Sequence, residues 1–195
     1  MMASDPIIFA GVEFSSGRKP ITFAALDEAL KVRVLERWES VEVISSLQNY
    51  ENCSLGINLP SSKRGQELHA DFKEKLVQAG FKPFSQMNNP KQWIETNSQD
   101  CFRALSGHNL LPQRSLEGRL QRTAIMYEQG LQVNDPVDMF EEITRYKLIQ
   151  GILPLEKLPS SRELDALVSA YTAWMSVNRP GQIVPRGDFV LPVQE

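Results

Sequence analysis

The stretch FAGVEFSSG, residues 9–17, places a carboxylate where an apolar strand comes to its end. The apolar run predicts a β-strand over residues 7–14, and the Ser-Ser-Gly that follows predicts a turn over residues 15–20. Glu13 shares a pleat face with Phe9 in this strand. Because burying a charge is costly, Glu13 must either reach water at the rim of the sheet or find a compensating cation.

Period-two and helical spacings divide the rest of the chain into alternating strands and helices. Short apolar or alternating runs predict strands, and apolar residues spaced three or four apart predict helices. Strands are predicted over residues 21–29, 31–39, 53–60 and 124–128, and helices over 40–50, 65–81, 90–105 and 136–151. The tail, residues 182–193, is predicted to be a short turn and strand end.

The best-marked element is a closing helix that begins after Ser160. Ser160 and Glu163 have the spacing of a capping box, and a wide apolar arc follows them. Alanines form a second arc, so we expect neighbouring elements to cover most of this helix. Asp165 lies in the gap between the two arcs.

Composition limits the classes of protein to which this chain can belong. The 195 residues are 42% hydrophobic and 23% charged, which is typical of a folded protein, and we predict one domain over residues 1–195. The net charge of −3 lacks the basic excess of proteins that bind long stretches of nucleic acid. Two separated cysteines predict buried thiols rather than a disulfide framework. With no leader and no apolar run long enough for a membrane span, we expect a cytoplasmic protein with no membrane partner.

The predicted order is three antiparallel strands, a helix, a fourth strand, helices, a fifth strand and a closing helix. Several segments resemble a family of uncharacterised proteins that are predicted to be nucleases with a ribonuclease H-like fold: GVEFSSG, ITFAAL, GINLP, IMYEQGL, ELDALVSAYTAW and RGDFVLP. The resemblance implies an α/β, ribonuclease H-like fold. Its five-stranded mixed sheet would have three antiparallel strands, then two parallel ones, flanked by helices.

The resemblance also implies an acidic site. Its motif positions fall on Glu13, Asn58, Glu128 and Asp165, which would bind Mg²⁺ or Mn²⁺, with the three acids as catalytic residues. Two positions depart from the family pattern, since the family has Asp where this chain has Glu13 and Asn58. Oxygen ligands suit these hard cations, and two ions can clamp the attacking and leaving oxygens of a phosphodiester. Because Asn58 carries no charge, one ion is easier to bind than two.

Each of these residues also has a structural interpretation. Glu13 and Glu128 can be solvated ends of strands, Asp165 can interact favourably with the helix dipole, and Asn58 can form a turn before Pro60.

Basic residues near these positions could bind phosphate groups, although solvated loops or ion pairs explain them as well. They are Lys63, Arg64, Arg114, Arg119 and Arg122. The resemblance thus implies a divalent-metal-dependent nuclease with nucleic acid as its partner. Two alternatives stay open: a catalytically degenerate ribonuclease H-like binding or scaffold module, and an enzyme that acts on a small molecule in the same cleft.

Overall fold

The computed structural model describes residues 7–14, 20–84 and 89–193. The turn predicted over residues 15–20 falls outside the described residues except for Pro20. The strands are β1 (Ile8–Glu13), β2 (Ile21–Leu26), β3 (Val32–Trp38), β4 (Cys53–Asn58), β5 (Lys82–Pro83), β6 (Lys91–Thr96), β7 (Ile183–Arg186) and β8 (Phe189–Pro192). The helices are α1 (Ser40–Gln48), α2 (Lys63–Gln78), α3 (Ser98–Ser106), α4 (Leu116–Glu128), α5 (Asp138–Glu142), α6 (Arg145–Ile149) and α7 (Ser161–Asn178).

The strands form one mixed sheet in the order β3-β2-β1-β4-β6-β8-β7, and β5 pairs with β6. β1, β2 and β3 are antiparallel neighbours, whereas β4 lies parallel to β1 and β6 parallel to β4. The predicted mixed α/β sheet flanked by helices is therefore confirmed. The predicted number of five strands is wrong, because the described residues form eight.

The early strands and the closing helix agree with their predicted positions. Buried β1, β2 and β4 fit continuous apolar runs, and β3 is only partly buried, with Arg33, Glu36 and Arg37 exposed. The capping box of α7 forms as predicted, since the Ser160 side chain accepts a hydrogen bond from the Glu163 amide. Residues 164–173 of α7 are all buried, which confirms that neighbours cover most of this helix.

The helix predicted over residues 90–105 is wrong in its first half, where β6 forms. The stretch QWIET is rich in strand-forming residues, and β6 is buried between other strands. Asn97 then begins α3, because its side chain accepts a hydrogen bond from the Asp100 amide.

The strand predicted over residues 124–128 is also wrong, because these residues are the last turns of α4. Ser115 caps this helix by accepting a hydrogen bond from the Gly118 amide. Residues 118, 122, 123 and 126 are buried, which is a helical spacing. Gly130 has a φ of +85° directly after the helix, a backbone conformation that suits glycine.

The single helix predicted over residues 136–151 is divided into α5 and α6. Ile143 adopts an extended conformation, and Thr144 caps a new helix by accepting a hydrogen bond from the Lys147 amide. In the tail, residues 182–193 form more than a strand end, because β7 and β8 pair as an antiparallel hairpin on the sheet.

Helices cover both faces of the sheet. α1 and α2 pack on one face around Leu47 and Phe72, whereas α3, α4 and α7 pack on the other. Cys53 and Cys101 are buried free thiols, as predicted, and burial raises the pKa of each to about 12. Across the described ranges, none of the helices combines the length and apolar character that crossing a bilayer requires.

Candidate functional site

The last residues of three neighbouring strands form a row at the carboxyl edge of the sheet. Glu13 ends β1 and lies opposite Asn58 of β4, which lies opposite Thr96 of β6. By strand alternation, all three share the face that also carries Gly11 and packs against α7. The row is 0–3% exposed, so Glu13 does not reach water at the rim.

Two glycines, each two residues before a member of this row in its strand, let α7 lie directly on the sheet. A Cβ atom on Gly11 would be 2.0 Å from the carbonyl oxygen of Ala166, and one on Gly56 would be 2.1 Å from that of Ser169. The Ser169 hydroxyl lies 2.9 Å from the Thr96 hydroxyl across the same contact. The helix backbone therefore touches the strands and brings Asp165, near its amino end, to the side of Glu13.

Asp165 is 3% exposed and lies beside the Glu13 carboxylate. Burial raises its pKa to about 7, and the negative charge of Glu13 adds to this increase. The neighbouring Ser98 side chain, Gln113 and Arg122 favour the charged form. Gln113 Nε2 donates to Oδ2 at 2.6 Å, whereas Oδ1 has no partner with hydrogen-bond geometry among the described residues. Among the described residues, Oδ1 is therefore a buried acceptor without a complete hydrogen bond.

Arg122 supplies a buried positive charge that interacts with Asp165. Its guanidinium is fixed by hydrogen bonds to the carbonyls of Leu111 and Gly118 and to Gln99 Oε1, at 2.8–3.0 Å. Burial lowers the pKa of Arg122, and the charge of Asp165 opposes that effect. This side chain is 1% exposed, so it acts on the site through its charge rather than by touching a large substrate.

Asn58 joins the end of β4 to the start of α3. Its Oδ1 accepts a hydrogen bond from the Ser98 amide at 2.9 Å. An amide oxygen has two lone pairs, so Asn58 Oδ1 can accept a second interaction.

Glu128 is not part of this group, because the residues around it lie at the other end of the sheet. It is exposed at the last turn of α4, and the neighbouring Gln132 amide donates to the carbonyl of Leu30. Leu30 lies in the turn that follows β2, and the end of β2 pairs with the beginning of β1. Of the three acids predicted to form one site, the structure thus brings together only Glu13 and Asp165.

The five basic residues fall into two groups. Lys63 and Arg64 are exposed in the first turn of α2, and Arg114 is exposed next to Gln113. The α2 turn lies near the end of β1, because a Cβ atom on Gly65 would be 2.9 Å from the carbonyl oxygen of Phe14. These three cations lie on segments that border the carboxylate pair and are open to solvent.

The second group has structural partners. Arg119 donates hydrogen bonds to the carbonyls of Leu155, Leu158 and Pro159 and so fixes the segment that leads into α7. Arg122 is buried, as described above. The predicted phosphate contacts of Arg119 and Arg122 are therefore not supported by their positions.

The donors at the site match a hard divalent cation. Glu13 and Asp165 supply carboxylate oxygens, Asn58 supplies a neutral oxygen, and Asp165 Oδ1, which no described residue hydrogen-bonds, is a buried acceptor. In the part of the chain that the structure describes, no group of three or more His, Cys, Asp or Glu side chains could hold a metal. The oxygen ligands that meet at this edge are therefore two carboxylates and one amide.

Sequence reasoning missed Gln113 and Ser98, which contact Asp165 and Asn58. Gln113 lies in an irregular segment that carries no periodic signal. Ser98 follows Asn97, and the helix-capping preference of Asn was a usable signal for a helix starting at Ser98.

No protein-family model matches the chain, and no curated protein shows significant sequence similarity to it.

Proposed function

We propose that this protein is a divalent-metal-dependent phosphodiesterase with a ribonuclease H-like fold that acts on nucleic acid. The observation that carries the proposal is the buried pair Glu13 and Asp165 at the carboxyl edge of the sheet, where Asp165 Oδ1 has no hydrogen-bond partner among the described residues. The strand order β3-β2-β1-β4-β6 supports the fold, since it gives three antiparallel strands followed by two parallel ones. The resemblance noted in the sequence supports the same assignment.

Glu13 and Asp165 would hold one Mg²⁺ or Mn²⁺ ion, with Asn58 as a neutral ligand. When bound, such an ion supplies Lewis-acid stabilisation of a phosphoryl oxygen. Gln113 orients the Asp165 carboxylate through its hydrogen bond to Oδ2. The exposed cations Lys63, Arg64 and Arg114 would bind flanking phosphates. Because these are only three positive charges on a chain of net charge −3, we expect weak, salt-sensitive binding of nucleic acid.

A specific observation favours a second candidate, a binding module that no longer holds metal. Arg122 already places a fixed positive charge beside Asp165, and Asn58 Oδ1 already accepts a hydrogen bond from Ser98. In this alternative, the Arg122 guanidinium and a proton on Asp165 compensate the negative charge of the buried carboxylates, so that no metal ion is needed. Nucleic acid binding would then persist without cleavage.

Cleavage assays with matched variants distinguish the two candidates. Single-stranded DNA, duplex DNA, RNA and an RNA–DNA hybrid are incubated with the protein and Mg²⁺ or Mn²⁺. We expect cleavage of at least one substrate, and a loss of at least about 100-fold in Glu13→Gln and in Asp165→Asn. Glu128→Gln, a matched loss of one carboxylate at the other end of the sheet, should retain full activity.

Circular dichroism of each variant shows whether lost activity reflects lost folding. Absence of cleavage on all four substrates, together with no heat of Mn²⁺ binding by calorimetry, would reject the metal-dependent enzyme. Equal losses in Glu128→Gln and Asp165→Asn would reject the assigned site.

A further inference from the structure

The segment from residue 137 to residue 155 exposes a concentration of large apolar side chains. We call it the α5–α6 surface. Its members are between 41% and 79% exposed: Val137, Phe140, Tyr146, Leu148, Ile149, Ile152 and Leu155. Isolated exposed apolar residues are common, but a group of this size within one short segment is typical of an interaction surface.

The local structure also needs additional packing. α5 and α6 have five residues each, and helices this short are unstable without tertiary contacts. Met139 anchors α5 because it is buried, and an ion pair between Glu142 and Lys157 ties α5 to the following segment. In α6, four of the five residues are exposed and Lys147 is half-buried. Contacts with the rest of the chain therefore account for little of the stability of α6.

The exposed area is the amount that a stable interface buries. From their fractional exposures, the seven residues expose roughly 800 Å² in total, which as an upper limit equals what each partner contributes to an interface of standard size. A small ligand would cover only a fraction of this area. The area thus points to a protein partner.

The charges on the two helices are complementary to each other. α5 carries Asp138, Glu141 and Glu142, whereas α6 carries Arg145 and Lys147. A two-fold interface brings one patch against an identical patch, so it requires a surface that is complementary to itself. An acidic helix followed by a basic helix meets this requirement when α5 of one copy faces α6 of the other.

We propose that the α5–α6 surface joins two copies of this chain in a two-fold symmetric dimer. The apolar side chains form the centre of the interface, and the acidic and basic helices fix its orientation. The three acidic residues of α5 disfavour a polyanionic partner such as nucleic acid on this surface.

Sedimentation equilibrium of the chain over residues 1–195 tests the oligomeric state. We expect a reversible dimer at micromolar concentrations, and we expect Ile149→Asp to raise its dissociation constant at least 100-fold. Val41→Asp is the matched control, because Val41 is 67% exposed on α1, and it should leave the dimer intact. A monomeric wild type at 100-fold higher concentrations, or a dimer that Ile149→Asp leaves intact, would overturn the proposal.

A charge exchange tests the orientation separately. One variant carries Asp138→Lys and Glu141→Lys, and the other carries Arg145→Glu and Lys147→Glu. Each variant alone should be monomeric, because like charges face each other across the axis, and an equimolar mixture should form a heterodimer. If the mixture stays monomeric while each variant is folded by circular dichroism, the two-fold arrangement is wrong. Binding of the wild-type protein to anionic vesicles that Ile149→Asp abolishes would assign the surface to a membrane instead.

Discussion

Asp165 lies where two effects on its protonation act in the same direction. Its carboxyl group is buried, and the nearby Glu13 carries a negative charge, so the pKa of Asp165 rises from the ordinary aspartate range to about 7. The folded protein therefore binds a proton on Asp165 at pH values where the unfolded chain has lost it. A raised pKa of an acid stabilises the folded state at low pH, and this contribution disappears as the pH rises through the folded-state pKa.

We predict that Asp165→Asn removes this pH dependence and stabilises the metal-free protein above pH 7. Asn is neutral at every pH, and its amide can donate to Glu13 while its oxygen accepts from Gln113. In urea unfolding at pH 8 with a chelator present, we expect the variant to exceed the wild type by at most about 4 kcal/mol. At pH 5 the difference should be less than half as large, because Asp165 is then protonated in the folded wild type and only its ionisation in the unfolded chain still disfavours folding.

The matched control for this prediction is Asp71→Asn. Asp71 is an exposed acid that pairs with Lys75 one turn later in α2, and such pairs contribute little to stability. Its effect should be small and should not reverse with pH. A wild type that is more stable than Asp165→Asn at pH 8 in the absence of metal would contradict the raised pKa.

At the level of elements, the strands and helices with one strong periodic signal were predictable. The apolar runs of β1 and β4 and the capping box of α7 gave their correct positions, and these three elements carry Glu13, Asn58 and Asp165. The errors lie where a short apolar run fits both a strand and a helix. Residues 124–128 have such a run, and only packing against α7 shows that it belongs to a helix.

The errors in elements also explain the error in the site. Glu128 was expected at a strand end, and its loss from the site follows directly from the loss of that strand. The contacts of Arg122 and Gln113 could not be derived from the sequence, because both depend on how α4 and the segment before it pack against α7. Local propensity contains no information about such distant contacts.

The close contact between α7 and the sheet gives a second prediction. We expect Gly11→Ala and Gly56→Ala each to destabilise the protein by at least about 3 kcal/mol, because the new methyl group would overlap backbone atoms of α7 that cannot move aside. Chemical denaturation measures the change. Gly181→Ala is the control, since a Cβ atom there has open space within 4 Å, and it should change stability by less than about 0.5 kcal/mol.

If the contact between α7 and the sheet accommodates a methyl group at Gly11, this substitution will cost little stability. If Gly11→Ala and Gly181→Ala have equal stability, α7 does not lie on β1 as closely as described. Asp165 would then also be farther from Glu13, so the same experiment bears on the site.

For the whole molecule, the candidate site is a junction of elements that are distant in sequence. β1 supplies Glu13, β4 supplies Asn58, α7 supplies Asp165, and the segment before α4 supplies Gln113. The unfolded chain holds none of these residues together. A cation that binds all of the ligands therefore binds the folded state almost exclusively and must raise the stability of the entire fold.

We predict that Mn²⁺ raises the melting temperature and does so more at pH 8 than at pH 6. At a free Mn²⁺ concentration 100 times the dissociation constant, the stabilisation is about 2.7 kcal/mol, or roughly 5–10 °C for a protein of this size. A proton on Asp165 competes with the ion, and its pKa of about 7 makes the apparent affinity about tenfold weaker at pH 6. The same Mn²⁺ concentration should therefore give about half of the stabilisation, with chelator-treated protein at each pH as the reference. Asp165→Asn should show little stabilisation at either pH, whereas equal shifts at both pH values in the wild type would mean that Mn²⁺ binds away from Asp165.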